Sequence, residues 1–363
     1  MSFQAKVRRI LVIKNRAIGD TILTTGPLRL LRRQYPNHQI HVMVRSPAGE
    51  LLEGLPYVDR IISALEPKEK IERLAYWMRL VRRLRSQKYE MVLNFHASFR
   101  TSLIAQLLRT QKCVANHHEL DGRNWFSDIK VPGRGEVKSI IDRDLDLLRA
   151  IGMDVDVNDA MPEIVLSQAE HAEAAQLFET DIQGRKGRVF LGIGGSRETK
   201  RWPAHHFATL INRLAEDLDA RFVLSTIASD RPWLDDFWPL IQRDQSLAGR
   251  VRHFSSASLR QTAKIMSQCE VYVGNDSGLK HLAIALGLRT FTFFGPEAPL
   301  EWHPYDTRLH RYAFIENMPC RTETGRHWCS IAVCNKHGHK CMQNILPAGV
   351  WNDIEEIIRN GNE

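Results

Sequence analysis

An aspartate directly after a short apolar run is the first residue of this chain whose position suggests chemistry. The run occupies residues 9–14 (RILVIK), and Gly19 and Asp20 follow it, with Gly19 allowing a close turn. A carboxylate at the end of a strand can remove a proton from an incoming hydroxyl group. Aspartate is also a favoured helix N-cap, and a helical pattern begins here. Asp20 is therefore a candidate general base, with a helix cap as the alternative.

A glycine-rich turn at residues 194–203 (GGSRETKRWP) is the second candidate. Backbone N–H groups around Gly195, the Ser196 hydroxyl and the Lys200 ammonium can together cradle a phosphate group. The spacing matches neither the P-loop nor the dinucleotide fingerprint. The turn is therefore a candidate phosphate site of another kind, and a solvated basic loop is the alternative.

The third candidate is the turn at residues 275–281 (NDSGLKH), which lies between an apolar run and a helical pattern. Ser277 and Gly278 fall at the helix N-terminus, where free N–H groups and the helix dipole attract an anion. Asp276 would repel a bare phosphate, so we expect it to accept hydrogen bonds from amides or from a sugar hydroxyl. His281 falls one turn later on the same side, and a satisfied buried histidine is its alternative.

Two series of β-rich runs alternating with helical patterns must position these residues. Such alternation predicts βαβ units, a parallel sheet and an α/β fold in each half of the chain, with ligands at the carboxyl ends of strands in a cleft. We predict a first domain over 1–182, a second over 183–346 that begins at the polar linker 183–187, and a C-terminal helix within 347–363. The predicted strands are 9–14, 40–44, 91–95, 188–193, 221–225, 271–274 and 290–294; the predicted helices are 21–34, 71–86, 204–218, 259–267, 279–286 and 347–359.

Composition describes an ordinary globular chain with a basic surface. The 363 residues are 43% hydrophobic and carry a net charge of +8, which suits an acidic partner. No apolar run reaches the roughly 18 residues of a transmembrane helix, and the first run is too short for a signal peptide, so we expect a cytoplasmic protein. No nucleic-acid-binding motif occurs. The basic helical segments 28–34 and 74–88 are either solvated faces or surfaces that rest on anionic lipid.

Two further patterns favour structural interpretations. Four cysteines near the C-terminus are spaced by 9, 5 and 7 residues without a C-x-x-C pair, which is weak evidence for a metal site; we expect free thiols. They are Cys320, Cys329, Cys334 and Cys341, with His327, His337 and His339 between them. Three aspartates alternate within one helical run, and we expect a solvated helix face: Asp142, Asp144 and Asp146.

In order and context, the segments resemble the heptosyltransferases of bacterial lipopolysaccharide assembly, glycosyltransferase family 9. The resemblance covers nearly the whole chain. Three segments carry it: ILVIKNRAIGDTILTTGPLRLL, GGSRETKRWPAHHFATL and VYVGNDSGLKHLAIALGLRTFTFFGPEAPLEWHP. The last is the most specific, since it combines D-[ST]-G-x-x-H-x-A-x-A-x-G with F-G-P.

The resemblance implies a GT-B fold, two Rossmann-like domains facing a cleft, and inverting transfer from an ADP-heptose-type donor without a metal ion or other cofactor. It implies that Asp20 is the general base and that Lys200 binds donor phosphate and takes part in catalysis. The acceptor would be a lipid-linked core oligosaccharide on the inner face of the cytoplasmic membrane, bound by the N-terminal domain. We predict that these residues bind the donor: Gly19, Gly195, Ser196, Lys200, Asp276, Ser277, Gly278 and His281.

Three positions depart from the family pattern, all of them on the donor side. Leu279 and Lys280 stand where Pro-Met or a similar pair is common, and Glu297 follows F-G-P where threonine is usual. Asp230 is a candidate for the ribose-binding acidic residue. The alternatives are therefore a glycosyltransferase of the same fold with a different nucleotide sugar, and a binding protein without turnover. The presence of Asp20 and Lys200 argues against the second.

Overall fold

The computed structural model describes residues 8–96, 98–116, 127–131, 137–178, 187–226, 231–243, 247, 249–256, 258–322, 328–329, 331–335 and 337–360. The chain divides into two compact units, Met1–Val165 and Leu166–Glu363. This division precedes the predicted domain boundary, and most of the predicted linker 183–187 lies outside the described residues. Within the described ranges, no helix is both long enough and apolar enough to cross a bilayer.

The first unit is built on a six-stranded parallel sheet in the order β3-β2-β1-β4-β5-β6. The central strand β1 has five buried residues out of six, as expected for a parallel strand covered on both faces. Ile10 of β1 pairs with Ile40 on one side and with Met91 on the other. The strands are β1 (Arg9–Lys14), β2 (Gln39–Arg45), β3 (Arg60–Ala64), β4 (Met91–Asn94), β5 (Lys112–Asn116) and β6 (Ile129–Val131).

In the described part of this unit, five α-helices accompany the sheet: α1 (Ile18–Leu23), α2 (Thr25–Gln34), α3 (Lys70–Arg85), α4 (Phe99–Leu107) and α5 (Ile140–Ala150). The single helix predicted over 21–34 is divided at Thr24, so that α1 is a separate short helix directly after β1. Gly26 in α2 allows a close approach, because a Cβ there would lie 1.9 Å from the carbonyl oxygen of Ala160.

The second unit repeats the architecture with the strand order β12-β11-β10-β7-β8-β9, again all parallel. Its strands are β7 (Arg188–Gly192), β8 (Arg221–Thr226), β9 (Val251–Ser255), β10 (Val271–Asn275), β11 (Arg289–Phe294) and β12 (His310–Phe314). Its helices are α6 (Gln168–Gln176), α7 (Ala204–Leu218), α8 (Arg231–Gln242), α9 (Leu259–Met266), α10 (Gly278–Ala285), α11 (Pro299–Trp302), α12 (Pro319–Thr322), α13 (Lys340–Gln343) and α14 (Pro347–Asn360).

The first and last helices of the second unit both pack within it. Arg260 of α9 donates two hydrogen bonds to Glu170 of α6, which anchors α6 to this unit although the sequence assigned it to the first domain. The helix α14, predicted as a separate C-terminal segment, buries Trp351, Ile354 and Ile358 in the core formed by α7 and the sheet. Each unit is thus a doubly wound α/β sheet, and the predicted α/β fold with two Rossmann-like domains is confirmed.

Candidate active site

Asp20 lies in the first turn of α1, directly beyond the carboxyl end of β1. The N-cap of α1 is Ala17, so the helix-cap alternative for Asp20 is wrong. The Asp20 side chain is 3% exposed, and its Oδ1 has no hydrogen-bond donor among the described residues. Arg16 Nε approaches this oxygen to 3.5 Å, an ionic contact without hydrogen-bond geometry. A carboxylate oxygen left in this way is available to accept a proton. Gly19 is buried beside it.

A buried ion pair supports the segment that carries Asp20. Lys14, the last residue of β1, donates hydrogen bonds of 2.6 and 2.7 Å to the two carboxylate oxygens of Asp144, and both side chains are almost completely buried. The Thr24 hydroxyl lies 2.8 Å from the backbone oxygen of Asp20 and 3.2 Å from Asp144. Burial raises the pKa of Asp144, and the negative charge of Asp20 adds to this effect while Lys14 opposes it.

The three alternating aspartates of α5 do not share one environment, so the prediction of a solvated face is wrong for the middle one. Asp142 and Asp146 do form surface ion pairs, both with Arg149. Asp144 instead points into the unit, because a helix repeats every 3.6 residues and a two-residue step changes its face. The sequence pattern D-x-D-x-D therefore did not indicate that Asp144 is the buried partner of Lys14.

A polar pocket of about 700 Å³ opens at the carboxyl ends of the strands in the first unit. Two of its lining residues hold buried polar atoms without a partner in the described chain: Asn15 Oδ1 and Trp77 Nε1. Arg45 and Arg100 add positive charge, and Arg100 pairs with Glu66 at 2.7 Å. Unpartnered donors and acceptors beside arginines are suited to a ligand with hydroxyl groups and negative charge.

In the second unit, Asn275 joins the two loops that the sequence singled out. Because β7 and β10 are parallel neighbours, the loops that follow them lie side by side. Asn275 Nδ2 donates to the carbonyl oxygen of Ile193 at 2.7 Å, and its Oδ1 accepts from the backbone N–H of Trp202 at 2.8 Å. The Trp202 ring stacks on Phe293 in the core, which fixes the far end of the loop. Neither Asn275 nor Trp202 was predicted from the sequence to have a role.

Asp276 lies between two lysines. Lys200 Nζ is 2.9 Å from Oδ2 and Lys280 Nζ is 2.7 Å from Oδ1. Lys280 is completely buried and also donates to the backbone oxygen of Trp302, whereas 14% of the Lys200 side chain is exposed. The hypothesis that amides or a sugar hydroxyl would hydrogen-bond to Asp276 missed both lysines. One carboxylate with two ammonium groups leaves a net positive charge, and Lys200 is its accessible member.

Electrostatics keep Asp276 ionised despite its burial. Burial opposes ionisation, but Lys200 and Lys280 outweigh this effect and hold the pKa of the Asp276 carboxyl far below its usual value. Burial lowers the pKa of Lys280, and Asp276 acts in the opposite direction. Glu297, one of the departures from the family pattern, forms an ion pair with Arg197 and lies 3.9 Å from Lys200.

The other predicted donor residues of these loops surround Lys200 and Asp276 in the chain. Gly195 is buried, and a Cβ there would lie 3.3 Å from the Cβ of Lys200, so the glycine permits close packing. Ser196 is exposed. Ser277 is the N-cap of α10, where its side chain accepts a hydrogen bond from the N–H of Leu279, and Gly278 is the first helical residue. The predicted helix N-terminus is therefore present.

His281 is the predicted donor residue that lies deepest. It is 2% exposed, and its Nδ1 is 2.6 Å from the Tyr305 hydroxyl. Burial lowers the pKa of His281 well below its usual value, and the charge of Lys280 acts in the same direction. The structure thus favours the alternative of a satisfied buried histidine, and a donor contact by His281 stays a prediction.

Within the described residues, no group of three or more His, Cys, Asp or Glu is arranged to hold a metal ion. Cys320, Cys329, Cys334 and Cys341 are not joined by disulfide bonds there. His327 and the ribose candidate Asp230 lie outside the described residues.

Comparison with known proteins identifies the family. The family model for glycosyltransferase family 9 (heptosyltransferase) matches residues 77–329, more than half of the chain. The chain belongs to this family. It is 25% identical to lipopolysaccharide heptosyltransferase 2 of Salmonella typhimurium, over 96% of this chain and 98% of that protein. The protein is therefore an enzyme, a glycosyltransferase.

Solved structures support the same fold. A family 9 glycosyltransferase from Veillonella parvula superposes with a TM-score of 0.78 at 20% identity, covering 97% of both chains. The E. coli ADP-heptose lipopolysaccharide heptosyltransferase II superposes with a TM-score of 0.77 at 20% identity, covering 98% of this chain and all of that one. The predicted GT-B class is thus confirmed for this family 9 member.

Proposed function

We propose that this glycosyltransferase moves a heptose from ADP-heptose to a hydroxyl group of a lipid-linked lipopolysaccharide core acceptor, with inversion and without a metal ion. The observation that carries the donor side is the cluster of Lys200, Asp276 and Lys280, whose net positive charge lies at the start of α10. A diphosphate is the part of a nucleotide sugar that such a cluster binds. The similar E. coli protein is an ADP-heptose heptosyltransferase, which supports the choice of donor.

On the donor side, the leaving nucleoside diphosphate gains negative charge as the bond to the anomeric carbon breaks. Lys200, the Ser196 hydroxyl and the N–H groups near Gly278 stabilise this charge. Fixed donors aimed at developing charge are each worth about 3–4 kcal/mol in favourable cases. Positively charged side chains and a helix N-terminus thereby take the part that a divalent cation plays in other transferases.

On the acceptor side, we propose that the polar pocket of the first unit binds the sugars. Its unpartnered Asn15 and Trp77 atoms are suited to hydroxyl groups, and Arg45 to the negative charge of core sugars. Asp20 takes the proton of the attacking hydroxyl as that oxygen forms its bond to the anomeric carbon. The oxygen attacks opposite to the departing diphosphate, so the configuration inverts.

We further propose that the enzyme works at the cytoplasmic face of an anionic membrane. The two basic segments that the sequence singled out differ in the structure. In α2, Arg29 pairs with Glu163 and Arg32 with Asp59, so both arginines hold the first unit together. In α3, the arginines at the C-terminal end are exposed and are therefore the better candidates for lipid contact.

The direct test is to incubate the purified protein with ADP-heptose, with UDP- and GDP-linked sugars, and with a core acceptor. We expect transfer from ADP-heptose alone. Transfer from another nucleotide sugar would support the same-fold alternative. Donor binding without turnover in the presence of several core acceptors would support the non-catalytic alternative and contradict the proposal.

A further inference from the structure

The helices α3 and α4 leave an apolar groove of about 690 Å³ on the first unit. Its volume is similar to that of the polar pocket, but aliphatic and aromatic side chains dominate its lining. The lining residues that matter below are Leu74, Trp77, Met78, Phe99, Leu103 and Leu107. The sequence indicated the basic charge of α3 but not this groove, because the groove needs two helices that are separated by a strand.

Several of these apolar side chains project into solvent. Leu74 is 65% exposed, Met78 59% and Phe99 68%, and Ile71 at the start of α3 is 87% exposed. Ile71, Leu74 and Met78 follow the spacing i, i+3, i+7, so they form one stripe along α3. A single exposed leucine is ordinary, but a contiguous apolar patch of this kind marks an interaction surface.

Arginines border the apolar stripe. Arg79, Arg82, Arg83 and Arg85 are exposed, and none has a carboxylate partner within the described part of the chain. Arg73, nearer the start of α3, does pair with Glu66. Arg82 and Arg85 also line the groove. Apolar side chains beside unpaired arginines are complementary to the interface of an anionic bilayer, where hydrocarbon lies beneath negative headgroups.

The groove continues into the polar pocket. Trp77, Phe99 and Arg100 line both, so the two cavities share a wall. A surface inserted at the groove therefore holds the polar pocket at the level of the lipid headgroups. The sugars of a membrane-bound glycolipid extend from that level.

We propose that the α3–α4 groove docks the enzyme on an anionic bilayer by inserting Ile71, Leu74, Met78 and Phe99 among the acyl chains, while the arginines of α3 contact the headgroups. This docking adds a specific membrane contact to the proposed function. It rests on the proposed function only for the identity of the acceptor. It adds a hydrophobic component to the electrostatic attraction that the sequence predicted. Binding therefore persists in part when salt screens the charges.

The test is co-sedimentation of the full chain with mixed phosphatidylcholine–phosphatidylglycerol vesicles at low salt and at about 1 M salt, where the Debye length falls to about 3 Å. We expect wild type to retain part of its binding in high salt. Leu74→Glu with Met78→Glu should weaken the salt-resistant part at least about tenfold, a free-energy change of about 1.4 kcal/mol. The matched control is Leu309→Glu with Leu346→Glu, two exposed leucines of the second unit.

Arginine variants separate the two components. Arg79→Glu, Arg82→Glu and Arg83→Glu together should abolish the preference for phosphatidylglycerol. Vesicles with brominated acyl chains should quench part of the tryptophan fluorescence of wild type, and Trp77→Phe should lose that part. Complete release of wild type by salt, or normal high-salt binding by the Leu74/Met78 variant, would overturn the insertion. If wild type bound to a soluble acidic protein but not to vesicles, the proposed docking on a bilayer would also be overturned.

ADP binding and donor hydrolysis, measured for the Leu74/Met78 variant and the Arg79/Arg82/Arg83 variant, distinguish this proposal from the proposed function. Loss of vesicle binding with unchanged donor hydrolysis supports docking at the groove. If wild type shows no activity on ADP-heptose but docks as described, the proposed function fails while the docking surface stands.

Discussion

The two units differ in the balance of charge at the ends of central strands of their sheets. After β1, the carboxylates of Asp20 and Asp144 lie near one buried lysine, Lys14, and only the partly exposed Arg16 adds a second positive charge. After β10, one carboxylate, Asp276, lies between Lys200 and Lys280. Among the described residues, the first cluster leaves Asp20 Oδ1 without a hydrogen-bond donor, and the second leaves the Lys200 side chain partly exposed to solvent.

If the proposed function holds, this difference lets one architecture support two chemical roles. A parallel sheet brings the loops after its strands to one edge, whatever residues the loops carry. In the proposed function, the balance of acidic and basic side chains at that edge then decides whether the edge accepts a proton or attracts an anion. In each unit a buried lysine is hydrogen-bonded to an aspartate, Lys14 to Asp144 and Lys280 to Asp276. The proposed role of each site therefore depends on the charged residue beside that pair. This residue is Asp20 in the first unit and Lys200 in the second.

The largest effect is expected at Asp20. Asp20→Asn should lower kcat by roughly 10²–10⁴ and leave the Kd for ADP unchanged, because the proposed base acts on the acceptor hydroxyl in the transition state. Steady-state transfer assays and ADP titration measure the two effects. Asp142→Asn, a surface aspartate of α5, is the control. Near-normal turnover by Asp20→Asn would show that Asp20 is not the base, and the proposed difference in role between the two units would then be wrong.

The next effect is on stability. Lys14→Met should lower the free energy of unfolding by about 3–5 kcal/mol, since it leaves Asp144 buried without its partner. Urea denaturation measures this change. The double variant Lys14→Met with Asp144→Leu should recover much of the loss, because replacing a buried pair by apolar residues is often neutral. If the single variant were as stable as wild type, the pair would not support the segment that carries Asp20.

Lys200→Ala should weaken ADP binding and slow transfer together, because the proposed contact between the ammonium group and phosphate is made in both the ground and transition states. A hydrogen bond to a charged group is worth about 1.5–3 kcal/mol, which corresponds to roughly 10–200-fold in Kd. Calorimetric titration with ADP measures it. Lys264→Ala, which removes a surface ion pair with Glu173, should bind ADP normally. Normal ADP affinity in Lys200→Ala would contradict the phosphate role.

Lys280→Met removes the buried ammonium group and tests the charge balance around Asp276 directly. It leaves Lys200 as the only lysine bonded to Asp276, so we expect a loss of about 1–3 kcal/mol in the free energy of unfolding. It should also weaken ADP binding several-fold, because Lys200 is then held more firmly by the carboxylate. Unchanged ADP affinity together with lowered stability would assign Lys280 to packing alone.

The smallest effect is expected from chelation. Because Lys200 and the N-terminus of α10 supply positive charge at the proposed diphosphate site, EDTA should leave the transfer rate unchanged. The rate is measured before and after dialysis against EDTA and again after adding Mg²⁺. Loss of activity that Mg²⁺ restores would show that the lysines are insufficient and that a metal ion takes part.

The elements that the sequence predicted well are long or strongly apolar. The strand over 9–14 and the helix over 204–218 match β1 and α7, because both patterns persist over their whole length. The sequence did not predict β3, β5, β6, β9 or β12. They are short strands at the edges of their sheets or, for β5, next to an edge, and their formation depends on pairing with a neighbour already in place. The sequence also merged α1 with α2, since the helical periodicity continues through Thr24.

The sequence by itself determined the α/β class, the chemical types at the strand ends and the family, because each is encoded locally in runs and turns. Only the tertiary structure decided the partners. Lys14 and Asp144 are 130 residues apart, and Lys200 and Asp276 are 76 apart. Which charges share a buried site depends on which strands are neighbours and on which face of a helix each residue lies. Local propensity contains no information about distant pairs of this kind. The balance of acidic and basic side chains at each site is therefore set only by the tertiary structure.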